Sequence, residues 1–285
     1  MLAASPAVAY IQEPFNLHCR PGTCGARFNL WFTYITEENE DIAFSHIQNT
    51  LKFRFNLGAE ARTIRSLRDA HRVGNEYLRS LRRRISRARP LMKDPIAVFS
   101  AEWLASTFDM EVVVLIRHPA AFASSLKRMG WTHPFSHFLQ QPALMRDHLQ
   151  PFSAEIEQYA NREHDILDQA ALLWRLIYHV VSNYREEHKD WAFLRHEDLS
   201  RDPALEFEKL YDRLELEWSE DAVQAVRAHS DASNPSEAPA VYRYLKRDSK
   251  SNIWNWKQRL TQAEIERVRG QVEDVSHLFY SNEDW

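Results

Sequence analysis

The chain has 285 residues, 44% apolar and 27% charged, which is enough for a sizeable core in one large α/β domain or two small ones. Its net charge of −4 and pI near 6.4 give no general attraction to nucleic acid, and no apolar run approaches the ~20 residues of a membrane span. Two cysteines, Cys19 and Cys24, make no disulfide framework, and the opening MLAASPAVAY lacks the basic start of a signal peptide, so the protein reads as cytoplasmic.

In chain order, short apolar strands alternate with long helical patterns, which predicts a parallel sheet covered by helices in a single domain over 1–285. Val8–Ile11 is the first strand. After it come Glu13 and a glycine-containing loop, Arg20-Pro-Gly-Thr-Cys-Gly25. His18, Cys19 and Cys24 have no fourth ligand at zinc spacing, so free thiols and no metal are expected there. Residues 62–89 carry ten arginines, opposed only by Asp69 and Glu76. Arg62, Arg65, Arg68 and Arg72 stand at helical spacing and are expected to share a solvated face; the alternative is a lid attracting an anionic donor or an acidic glycan. No aromatic interleaving supports a nucleic-acid partner.

Leu91–Lys93 is the second strand and Val112–Ile116 the third, apolar on both faces as in a central parallel strand. It runs into Arg117, and Pro119 suits the first turn of a following helix. Trp131, Phe135, Phe138 and Phe152 come next, as an acceptor-pocket wall or as core. Ile166, Ala170, Trp174, Ile177 and Val181 fall on one helical stripe. Ala192–Leu194 is the fourth strand. The adjacent Glu197 and Asp198 are expected to position a loop and cap the next segment rather than act as a catalytic pair. A helix should start at Pro203, after Asp202, and run to about Leu214. A polar loop spans Asp231–Pro239, and a last helix follows Thr261, with Glu264 completing a capping box.

The six glycines include neither a Walker A nor a GxGxxG pattern. What stands out is Arg117. Ligands of parallel sheets bind beyond the carboxyl ends of the strands, and a guanidinium fork beside a helix start suits phosphate. Ser125, two turns into that helix, adds a hydroxyl. The structural alternative is an arginine paired with a nearby carboxylate.

Arg117-His-Pro-Ala-Ala-Phe-Ala-Ser-Ser125 resembles the 3'-phosphate signature of the sulfotransferases that use 3'-phosphoadenosine 5'-phosphosulfate (PAPS). There, an Arg ending a strand and a Ser eight residues later hold the 3'-phosphate. Further resembling segments follow in the family's order. They are Tyr10-Ile-Gln-Glu13-Pro14, Lys93-Asp94-Pro95, and Leu194-Arg-His-Glu197-Asp198-Leu199 with Asp202-Pro203. Last comes Ser249-Lys250-Ser251 with Trp256-Lys257 and Leu260-Thr261. The resemblance implies a three-layer P-loop-NTPase-like α/β fold, PAPS as co-substrate, no metal, and a carbohydrate, lipid or small-molecule acceptor. It implies donor contacts at Arg117, Ser125, Lys250 and Ser251, and at His196, where relatives usually carry Tyr near the adenine. Glu13 is the implied base and Lys93 a charge stabiliser; the histidine of small-molecule members falls at Pro95 and is absent. The family's N-terminal loop of the type P-R-S-G-T-T-W has no counterpart before Leu2-Ala-Ala-Ser-Pro6. The chain therefore reads as starting late, without the first strand. The alternatives are a non-catalytic relative, or Arg20–Gly25 serving as the loop.

Overall fold

The computed structural model describes residues 1–237 and 246–285. All four expected strands form: β1 (Val8–Gln12), β2 (Arg89–Lys93), β3 (Val113–Ile116) and β4 (Ala192–Arg195). Among the described residues they pair as two parallel ladders, β1 with β2 and β3 with β4. Tyr10 stands opposite Leu91, and Leu115 opposite Leu194. The protein is α/β with parallel pairing, and each ladder belongs to a different compact unit: residues 3–110, and residues 111–285 together with the first two.

In residues 3–110 the longer helices are α1 (Phe44–Leu51), α2 (Leu67–Ile85) and α3 (Ala101–Phe108). Alternate residues of β1, Ala9 and Ile11, are buried and pack on Phe53. The main core stacks Phe15 on Phe28 at 4.5 Å and adds Ile35, Ile47, Trp103 and Leu104. α2 is capped by Ser66, whose hydroxyl accepts from Asp69 N at 3.1 Å. That cap corrects the shared arginine face. Arg62 caps the preceding short helix and Arg65 lies before α2, so only Arg68 and Arg72 of the four are on one helix.

In residues 111–285 the longer helices are α4 (Pro119–Met129), α5 (Ser153–Asn161), α6 (Ile166–Glu187), α7 (Pro203–Arg213), α8 (Glu220–Ser230) and α9 (Gln262–Ser276). α4 begins at Pro119, as expected, and ends at Gly130, whose φ of 63° is the left-handed turn that glycine adopts without strain. Its small face, Ala120, Ala121 and Ala123, lets the backbone come close to Leu167 and Ala170 of α6 and to Ile265 and Val268 of α9. α6 buries the Ala170–Trp174–Val181 stripe and much of its circumference besides. Pro203 opens α7 with Asp202 capping it, and Thr261 and Glu264 form the expected capping box on α9. Phe135, Phe138 and Phe152 are core, while Trp131 is exposed. Leu115 on β3 is 53% exposed, so that strand is not covered on both faces as its composition suggested. The polar loop over Asp231–Pro239 is described to Glu237; 238 and 239 lie outside the described residues. Among the described residues no helix is long and apolar enough to cross a membrane.

Candidate functional site

Arg117 leaves β3 with its backbone held from two sides by α6. Its N–H donates to the Tyr178 hydroxyl at 2.8 Å, and its carbonyl accepts from Trp174 Nε1, also at 2.8 Å. Both aromatics are buried core residues, so the core sets where this strand end lies. The Arg117 Nε is buried and without a hydrogen-bond partner among the described residues. The nearest carboxylate influence is Glu197, which is 5% exposed and committed elsewhere. Glu197 Oε1 accepts from His118 N at 3.0 Å and Oε2 from the Tyr280 hydroxyl at 2.9 Å. Burial therefore pulls the Arg117 pKa down, and the charge of Glu197 only partly offsets it.

Other cations surround it. Arg259 repels Arg117, and burial together with repulsion from Arg128, Arg259 and Arg117 pulls Arg247 down. Glu237 is shared between Arg128, at 3.5 Å, and Arg259, at 2.9 Å. Among the described residues this cluster of guanidiniums has little counter-charge, a pattern that suits an anion. The sequence reading did not single out Arg247 or Arg259, which the fold brings within electrostatic range of Arg117.

Lys250 is exposed on a short turn of helix, Ser249–Asn252. The Ser251 hydroxyl is bonded to the Asp248 carboxylate, whose other oxygen accepts from Ser251 N, so it closes a local cap. Ser125 is half-buried on α4, and its neighbour Ser124 is buried with its hydroxyl unpartnered among the described residues. His196 is half-buried; burial first, and then the charge of Arg117, hold its imidazole below the usual range. The start of α4 offers less than expected. The His118 amide goes to Glu197, and the Ala120 amide donates to His118 Nδ1 at 3.3 Å. Buried between Trp256 (4.8 Å, stacked), Tyr280 and Trp285, His118 has its pKa pulled down to about 3 and stays neutral.

In residues 3–110 the structure joins Glu13 and Lys93. Lys93 Nζ donates to Glu13 Oε1 at 2.5 Å, and Asn16 Nδ2 donates to Oε2 at 3.1 Å. Glu13 sits at φ 44°, a left-handed conformation unusual for its type and held by its N–H bond to the Lys93 carbonyl at 3.0 Å. It lines a cavity of about 420 Å³ whose wall includes Tyr10 and Phe53, with Arg20, Arg54, Arg79 and Arg83 set against Glu13 and Glu76. The size is that of a small-ligand pocket.

Behind Glu13, Asp94 accepts from Phe15 N at 2.7 Å and from Ile96 N at 3.1 Å. Burial outweighs these bonds and pushes its carboxyl up to about 6. The folded protein then keeps a proton that the unfolded chain releases near ~3.9. This contribution to stability is complete below that value and is lost as pH rises through about 6. A carboxyl-carbon NMR titration should place the Asp94 midpoint near 6, and a midpoint in the ordinary range would overturn this account.

The loop Arg20–Gly25 does not behave as a phosphate cradle. Gly22 N donates to the buried Glu60 carboxylate at 2.8 Å, and the Thr23 and Cys24 amides bond the Arg20 carbonyl. An anionic side chain already occupies the place a phosphate would need. Gly22 is required for another reason: a Cβ there would lie 2.4 Å from the Phe55 ring. Cys19 and Cys24 are free, and burial pushes the Cys19 thiol up to about 12.

Three comparisons with known proteins bear on this arrangement. No curated protein matches the chain. Among solved structures, the chain is similar to the sulfotransferase domain from the curacin biosynthetic pathway, at 12% identity and a TM-score of 0.41, covering 79% of this chain and 78% of that one. A family model described as "Sulfotransferase family" matches residues 1–220. A match over that much of the sequence places the chain in a family whose activity is group transfer: it belongs to the sulfotransferase family.

Proposed function

We propose that the protein transfers a sulfuryl group from PAPS to a hydroxyl of a carbohydrate, lipid or small-molecule acceptor. The observation that carries this is Arg117, whose backbone the core holds at a strand end and whose buried Nε has no hydrogen-bond partner among the described residues. In this reading Arg117, Arg247 and Arg259 hold the donor's 3'-phosphate, with Ser125 on the adjoining helix. His196, kept neutral beside Arg117, offers a face to the adenine. Lys250 and Ser251 lie at the rim.

Glu13 takes the acceptor's proton as its oxygen attacks sulfur. The bond from sulfur to the 5'-phosphate oxygen breaks, leaving adenosine 3',5'-bisphosphate. Lys93, already on Glu13, neutralises charge that develops on the transferring group. The cavity beside Glu13 receives the acceptor, and four guanidiniums against two carboxylates on its wall favour an acceptor that carries its own negative charge. No step calls for a metal. We take residues 1–285 as one sulfotransferase-like domain on a P-loop-like fold, since the family match runs across both units. A cytoplasmic location agrees with the free Cys19 and Cys24.

A second reading is supported by the loop at Arg20–Gly25. Its amide is spent on Glu60, which favours a relative that binds nucleotide without transferring sulfate. Calorimetry with adenosine 3',5'-bisphosphate tests the shared part: the wild-type protein should bind it, and no binding would remove both readings. Transfer of labelled sulfate from PAPS to a panel of sugars, lipids and phenols separates them.

A further inference from the structure

α2 runs for 19 residues and buries only Val73. Its inner side is accounted for: the Ser80 hydroxyl donates to the Phe53 carbonyl at 2.8 Å, and Arg72 pairs with Glu60 at 3.0 Å and with Glu76 at 3.5 Å. Its outer side is exposed and carries aliphatic side chains towards both ends, with Ala70, His71 and Gly74 between them. Leu67 is 91% exposed, Leu78 47%, Leu81 38% and Ile85 72%. At 3.6 residues per turn these four positions fall on one stripe. Arg68, Arg79 and Arg82 border the stripe on one side and Arg84 on the other, and all four are exposed. From Tyr77 to Arg89 the chain carries six arginines and no acidic residue.

An exposed aliphatic stripe rimmed by cations of one sign does not suit solvent, because bare leucines gain nothing there. It suits a surface that is apolar below and anionic above. We infer that α2 lies in the interface of a bilayer rich in anionic phospholipid, with Leu67, Leu78, Leu81 and Ile85 in the acyl boundary and the arginines on headgroup phosphates. Low overall hydropathy with strong sidedness is the pattern of helices that rest on membranes rather than cross them. Nucleic acid would use the arginines but has no use for the aliphatic stripe. A protein partner would be expected to set carboxylates against the arginines, and would need no lipid. The inference rests on α2 alone and is independent of the transfer reading.

The test is co-sedimentation of the full chain with vesicles. The protein should pellet with an equimolar mixture of phosphatidylcholine and phosphatidylserine, and only weakly with pure phosphatidylcholine. Each arginine contributes about a fivefold factor at such a surface, so Arg82→Glu with Arg84→Glu should weaken binding at least ~25-fold and flatten its salt dependence. Leu78→Glu with Ile85→Glu should abolish binding at any salt. All these side chains are exposed, so circular dichroism and adenosine 3',5'-bisphosphate affinity should match wild type. Failure to pellet with anionic vesicles overturns the proposal. So does lipid binding that neither double variant changes. A dimer in sedimentation velocity that Leu78→Glu with Ile85→Glu dissociates would overturn it in favour of a second copy.

Discussion

Arg117→Ala is expected to weaken binding of adenosine 3',5'-bisphosphate by about a hundredfold or more while leaving the fold intact. Truncating one partner of a desolvated, hydrogen-bonded charge pair costs ~2–5 kcal/mol, and each ~1.4 kcal/mol is a factor of ten. The fold should survive because the clamp acts on the backbone of residue 117, through Tyr178 and Trp174, and not on its side chain. Without ligand, the variant's thermal midpoint should equal or exceed that of wild type. A guanidinium that burial disfavours and no carboxylate neutralises directly is a cost to the free protein. Arg117→Lys separates charge from shape: it should recover part of the affinity, since an ammonium lacks the planar fork. Lys250→Ala, at an exposed position, should cost far less. If Arg117→Ala binds like wild type, or if Lys250→Ala is the more damaging change, the anion seat lies elsewhere.

Glu13→Gln should reduce sulfuryl transfer by roughly 10²- to 10⁴-fold with adenosine 3',5'-bisphosphate affinity unchanged, the range typical of losing a positioned general base. The substitution keeps the side chain's size and the bond from Asn16, but removes the charge that pairs with Lys93. Affinity and rate therefore report different residues: Arg117 moves binding, and Glu13 moves turnover. A Glu13→Gln protein that transfers at the wild-type rate would show that another group takes the proton. Loss of bisphosphate affinity in that variant would mean that Glu13 acts on the donor.

Much of the framework was readable from local pattern. The strands stand out as short apolar runs, and the helix starts at Pro119, Pro203 and Thr261 carry their own chemistry in proline geometry and capping side chains. The cap Ser66–Asp69 carried the same kind of signal. Given its weight, it would have excluded Arg62 and Arg65 from the arginine face. Asp248 three residues before Ser251 likewise announced the cap that forms there. The residues proposed to complete the anion seat left less local signal, for a physical reason. Arg247 and Arg259 reach Arg117 across more than a hundred positions of sequence, and only packing sets that distance. Tyr178 left one usable trace: a tyrosine hydroxyl must bond something when buried. Glu197 was read as a positioning residue, and the structure shows what it positions, the His118 amide and the Tyr280 hydroxyl.

The double clamp on residue 117 has an evolutionary implication. Trp174 and Tyr178 belong to the helix around which the second unit is built, so the strand end cannot drift without unpicking that helix's packing. A descendant that stopped turning over substrate would keep the strand end in place as part of its own foldability, while the side chain presented there would be free to change. In such a lineage residue 117 should hold its position while its side chain drifts, and variants selected only for stability should tend to lose affinity for adenosine 3',5'-bisphosphate.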